Sequence, residues 1–179
     1  MWAGLDLAAS PRRPSGVVIG ESWENLYATT AHSDEEILVL LRGVVQRVWV
    51  DAPLTCGEGP FRACDKLLHR EGLTPLPLSW KSMQQLHKRA FSLQKLLTIP
   101  WHETFPWALY RHIFRLQNLK GRPHKDPLLL AHWGAKKGLR LQPTSIHEWD
   151  ALACWAIGWL FQKGELRAIQ APDGTVWIP

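Results

Sequence analysis

Apolar and polar positions divide the chain into short segments of changing period. Trp2 to Ala8 is apolar enough to read as a β-strand, and a turn rich in Ser, Pro and Arg follows from Ser10 to Gly16. Val17 to Glu21 reads as a second strand, so the two make a hairpin, and Asn25 to Thr30 is a candidate third. Ser33 and Glu36 have the spacing of a helix-starting capping box. Ile37, Leu40, Leu41, Val44 and Val45 then recur at helical spacing and form one apolar stripe.

Gln46 to Val50 reads as a short strand that ends in Asp51-Ala52-Pro53. A Gly- and Pro-containing loop leads into a helix over Phe61 to Arg70, stopped by Gly72. Leu73 to Leu78 is a Pro-rich connection, and Ser82 to Leu97 again has helical spacing. Leu97 to Thr104 is a candidate strand closed by Pro106, and helices are expected over Trp107 to Leu116 and Pro127 to Trp133. A second capping box, Ser145 with Glu148, opens a last helix that runs to Gly164. Leu166 to Ala171 and Thr175 to Ile178, joined by Pro172-Asp173-Gly174, read as a terminal hairpin. The order predicts an α/β fold: a mixed sheet flanked by helices, in a single domain spanning residues 1–179.

Composition narrows the class. At 179 residues and 46% hydrophobic, the chain can bury a real core. The longest uncharged apolar run, Ala151 to Phe161, is too short for a bilayer span, and the N-terminus meets a charge at Asp6. No membrane association is expected. Cys56, Cys64 and Cys154 form no CxxC pair, so reduced thiols and a cytoplasmic location are the expectation. The net charge of +5 suits a polyanionic partner such as DNA or RNA.

Four acids stand where structure alone rarely puts them. Asp6 interrupts an apolar strand, Asp51 and Glu103 end two others, and Asp150 lies in the first turns of the last helix. Buried carboxylates need partners, and several converging at strand ends can share a divalent cation. Two such ions would activate a water and stabilise the leaving oxygen in phosphodiester cleavage. Each acid taken alone also reads as an ordinary turn or surface residue. Helix geometry separates the last pair of candidates, because Glu148 and Asp150 point roughly 160° apart. Glu148 has the capping position, and Asp150 shares the face of Ala153, Cys154 and Ile157. Asp150 is therefore the expected ligand and Glu148 the cap.

These positions also carry a resemblance. Gly4-Leu5-Asp6-Leu7-Ala8 with Gly16-Val17-Val18, Val50-Asp51-Ala52-Pro53-Leu54, Arg62-Ala63-Cys64-Asp65, Glu103-Thr104-Phe105-Pro106, His147-Glu148 with Asp150-Ala151-Leu152, and Val176-Trp177-Ile178-Pro179 together resemble a family of predicted nucleases, the domain of unknown function 429. The resemblance spans nearly the whole chain in order. It implies a ribonuclease H-like fold, distantly related to Holliday-junction resolvases. That superfamily places an acid on the first strand, one after the fourth and one on the last helix, which match Asp6, Asp51 and Asp150. The implied activity is metal-dependent nucleic-acid cleavage with Mg²⁺ or Mn²⁺. Asp6, Asp51, Glu103 and Asp150 are the catalytic candidates, and Asp6, Asp51 and Asp150 the metal ligands; Glu103 matches a family motif without an assigned role.

Other signals change little. His147-Glu148 starts like a zinc-protease motif, but Ala151 stands where the second His is needed. Gly57-Glu58-Gly59 lacks the third glycine of a dinucleotide fingerprint. Arg12, Arg13, Lys136, Lys137 and Arg140 are candidate phosphate-binding positions, and equally a solvated surface. Most of the 11 tryptophans read as packing; Trp80, Trp101 and Trp107 lie in loops or at element ends, from which a base could be stacked. Arg62 and Asp65 have helix-neighbour spacing and can pair with each other. The alternative to a nuclease is a non-catalytic ribonuclease H-like module that binds nucleic acid or protein. An actin-like phosphotransferase needs two such domains, more than 179 residues supply.

Overall fold

Three strands open the chain, β1 (Trp2–Asp6), β2 (Ser15–Ser22) and β3 (Asn25–Ala31), in a computed structural model that describes residues 1–179. Then follow α1 (Asp34–Leu41), β4 (Val48–Val50), α2 (Ala63–Arg70), α3 (Lys81–Leu96) and β5 (Trp101–Thr104). The chain closes with α4 (Pro106–Leu116), α5 (Pro127–Ala135), α6 (Ile146–Gln162), β6 (Arg167–Ala171) and β7 (Gly174–Ile178). All seven strands join one mixed sheet in the order β3-β2-β1-β4-β5-β7-β6. β1, β4, β5 and β7 run parallel, while β2 and β3 at one edge and β6 at the other are antiparallel to their neighbours.

Strand parity divides the core in two. Ala3, Leu5, Val48 and Val50 face α1 and α3, where Ile37, Leu41, Ala90 and Leu93 meet them. Trp49 and Val18 face the other way, onto α6, α4 and α5. The α6 helix comes very close to the sheet because small residues let it. A side chain at Gly4 would strike the backbone of Ala151 and Trp155, and one at Gly16 the backbone of His147. Most tryptophans pack here: Trp23, Trp49 and Trp155 are fully buried, and Trp2 stacks on Trp155 at 5.4 Å. No helix is long and apolar enough to cross a membrane.

Several elements are shorter than their apolar patterns: β1 stops at Asp6 rather than Ala8, β4 starts at Val48 rather than Gln46, and α2 starts at Ala63 rather than Phe61. α1 ends at Leu41 because Gly43 takes φ +74°, which turns the chain and leaves Val44 exposed. β5 begins only at Trp101, because Pro100 has no N–H to give the sheet and contributes just its carbonyl, to Val48 N.

Candidate functional site

The carboxyl ends of the parallel strands and the first turns of α6 meet at one edge of the sheet, where three aspartates gather. Asp6 is the last residue of β1, and its parity with Gly4 turns it toward α6. Asp51 follows β4, one position beyond Val50, so it also turns to the α6 side. Asp150 sits one turn into α6. The sheet brings the three together although 144 positions separate the first from the last.

Two basic groups accompany them. Lys125, in the segment before α5, donates from Nζ to Asp150 Oδ2 at 2.8 Å. His147, in the first turn of α6, holds its Nδ1 2.9 Å from Asp6 Oδ2. Asp150 Oδ1 is buried and has no partner.

The charges act on one another. Burial pushes the Asp51 carboxyl up to about 7, Lys125 opposes the rise, and the neighbouring Asp6 and Asp150 add to it. Burial also raises Asp6, against the hydrogen bond from His147 and with repulsion from Asp150. Lys125 is raised in spite of its own partial burial, since Asp51 and Asp150 favour its charged form. Three carboxylates thus share one ammonium and one imidazole.

Glu103 has a different setting. Its register opposite Val50 puts it on the α1/α3 side of the sheet, away from the face of Asp6 and Asp51. There it accepts from Arg62 Nη1 at 2.8 Å and from Arg62 Nη2, and also from Leu54 N at 3.0 Å. Arg62 also donates Nη2 to Asp65 Oδ1 at 2.8 Å and Nε to Asp65 Oδ2 at 3.1 Å. Burial works against the guanidinium, but the hydrogen bonds to Glu103 and Asp65 outweigh it and hold its pKa above the usual arginine range. The helix neighbours Arg62 and Asp65 do pair, with Glu103 as a third member.

Glu148 is turned from the cluster, as its place on the helix requires. Ser145 Oγ caps the Glu148 amide at 3.2 Å, and the Glu148 carboxylate accepts from Thr144 N at 2.7 Å and Thr30 Oγ1 at 3.0 Å. Arg12 and Arg13 are exposed in the β1–β2 turn, at the same end as Asp6. Lys136, Lys137 and Arg140 are carried elsewhere. Lys137 lies over the rings of Trp133 and Trp159, and Arg140 acts on Glu24 in the β2–β3 turn, at the other end of the sheet.

The three aspartates form a donor set a hard divalent cation accepts: oxygen only, concentrated negative charge, and one buried oxygen left without a hydrogen bond. Lys125 already holds one positive charge among them. The three aspartates are not drawn into a ready-made cage, for no three His, Cys, Asp or Glu side chains form a compact metal-holding group. Lys125 and His147 are the site members that sequence reasoning missed. The basic stretch Lys120, Arg122, His124, Lys125 was the available signal for the first. His147 was hidden by its role in a rejected protease motif. No family model matches the chain, and a search of curated proteins finds no match.

Proposed function

We propose that the protein is a metal-dependent nuclease of ribonuclease H-like fold, with Asp6, Asp51 and Asp150 as the ligands of Mg²⁺ or Mn²⁺ and DNA or RNA as the substrate. One observation carries the reading. Acids from the first strand, the end of the fourth and the last helix converge on the same edge of the sheet, with an unpaired oxygen on Asp150. That is the arrangement implied by the resemblance to the predicted-nuclease family.

The cation, when bound, supplies charge neutralisation and an acidified water beside the scissile phosphate. The chain's own residues supply the rest. Asp6 is oriented by His147, and Asp150 by Lys125. Arg12 and Arg13 offer exposed positive charge in the turn at the same end of the sheet as Asp6, and Lys120 and Arg122 precede the site lysine. These groups attract a phosphate backbone, so binding should weaken steeply with salt. Glu103 contributes by holding Arg62 and the Leu54 amide, which fixes the loop after Asp51.

A non-catalytic nucleic-acid or protein-binding module is the second reading. It is favoured by Lys125, whose ammonium already offsets part of the acidic charge. Cleavage of labelled DNA and RNA in Mn²⁺ separates the two. The nuclease reading predicts cutting by wild type and by Glu148→Gln, and none by Asp6→Asn or Asp150→Asn. A wild type that binds nucleic acid with a steep salt dependence and cuts none puts the binding module in its place.

A further inference from the structure

The carboxylate cluster opens into a cavity of about 390 Å³, which the three metal ligands do not need. One end of it is acidic and basic, with Asp6, Asp51 and Lys125 in its lining. The rest of the lining combines the Arg62, Asp65 and Glu103 cluster with an apolar set, Leu76, Leu78, Met83, Leu86, Phe105 and Trp107, from the α2–α3 connection, α3 and the start of α4. Its size is that of a small-molecule site rather than of a packing defect.

We infer that this cavity receives one nucleobase of the substrate, unstacked from its neighbours, so that the site acts on single-stranded nucleic acid. The inference rests on the nuclease reading above. The two kinds of lining match the two halves of a nucleotide: Asp6, Asp51 and Lys125 for a metal-bound phosphate, and apolar side chains with two aromatic residues for a base. Phe105 and Trp107 flank Pro106, which starts α4, so both rings stand on a rigid helix terminus. A base in a duplex cannot enter such a cavity without leaving its stack, which a single strand permits at less expense of energy.

The polar groups in the lining also say what the cavity does not do. Arg62, Asp65 and Glu103 spend their hydrogen bonds on one another, with Thr55 and the Leu54 amide as further partners. That cluster has no free donor to read the edge of a base, and Thr104 Oγ1 is spent on Val50 O, which leaves only Thr74 and Lys125 as donors among the polar lining groups. The cavity should therefore accept purines and pyrimidines with little preference.

The test is fluorescence anisotropy of labelled strands in Ca²⁺, with three probes of equal length: oligothymidylate, the same strand paired with its complement, and a strand whose bases have been removed. Wild type should hold the single strand about 5- to 100-fold more tightly than either of the others, the range expected for one stacked base. Met83→Trp, which fills the cavity from its α3 wall, should erase that preference without lowering the unfolding midpoint; Trp107→Ala should reduce it. Equal affinity for the three probes, a preference that survives Met83→Trp, or no binding of any probe overturns the inference. Cleavage in Mn²⁺ is scored separately. Base-dependent binding without cleavage removes the nuclease reading and leaves the cavity assignment standing, whereas equal cutting of duplex, single strand and abasic strand does the reverse.

Discussion

Glu103 and Asp65 close around Arg62, whereas Asp6, Asp51 and Asp150 share Lys125 and His147 at the same end of the sheet. In the first cluster every charged group is nearly inaccessible, with side-chain exposures of 3% for Arg62, 2% for Asp65 and 8% for Glu103. Each oxygen there has a donor, and each guanidinium nitrogen an acceptor. In the second cluster Asp6 and Asp150 are 19% and 13% exposed, Asp150 Oδ1 lacks a partner, and Asp51 is raised to about 7 with no hydrogen bond to offset its burial. The difference teaches that acid count does not mark a functional site. A closed, saturated cluster is architecture; an open one with a charge deficit has capacity for a ligand.

The largest effect should come from breaking the closed cluster. Arg62→Met leaves two buried carboxylates without their cation and should cost about 3–5 kcal/mol in urea unfolding. It would also release the Thr55 and Glu103 contacts that hold the loop after Asp51. A loss near zero would mean that the cluster is more hydrated than its burial implies, and the contrast would fail.

Next comes the pH dependence of the open cluster. The Asp51 carboxyl is raised from 3.8 to about 7, so folding favours its neutral form. Its contribution is present in full below about pH 4 and is lost as the pH rises through 7. Asp51→Asn should therefore gain on wild type between pH 4 and pH 8. At about 1.4 kcal/mol per tenfold change in the ionisation equilibrium, the gain has an upper bound of roughly 4 kcal/mol. Parallel melts across that range check it, and a difference that is flat with pH would contradict the strained state of Asp51.

Glu148 gives a smaller effect of a third kind, since its carboxylate ties the start of α6 to β3 through Thr144 and Thr30. Glu148→Ala should cost about 1–2 kcal/mol and Glu148→Gln less. The smallest stability change is expected for Lys125→Met, at most about 1 kcal/mol because the side chain is 37% exposed. The same variant should strengthen Mn²⁺ binding, since the resident ammonium no longer competes. Unchanged or weaker Mn²⁺ affinity would show instead that Lys125 supports the ion.

Much of this was legible in the sequence, for reasons that can be named. The capping boxes at Ser33 and Ser145 mark the starts of α1 and α6 because the hydroxyl accepts from a first-turn amide while the acid three residues on accepts from the amide just before the cap. The opposed directions of Glu148 and Asp150 follow from the helical period alone. Glu103 was harder. Its position at a strand end resembles that of Asp51, and only the pairing register of β4 with β5 puts it on the other face. Lys125 had only the basic stretch around it and His147 only its neighbour Glu148 as signals, and neither points to an aspartate, because the sheet and α6 assemble their surroundings from distant segments. Lys136, Lys137 and Arg140 precede α6 in the chain, yet the turn after α5 takes them to the β2–β3 end of the sheet.

The most direct test of the open cluster as a cation site is calorimetric titration of Mn²⁺ into the wild-type chain and into Asp150→Asn at pH 8, where Asp51 is ionised. The account predicts binding by wild type at concentrations on the order of millimolar or below, and loss of that binding in a variant that remains folded. No heat of binding from wild type at millimolar Mn²⁺, or the same isotherm from Asp150→Asn, would contradict it.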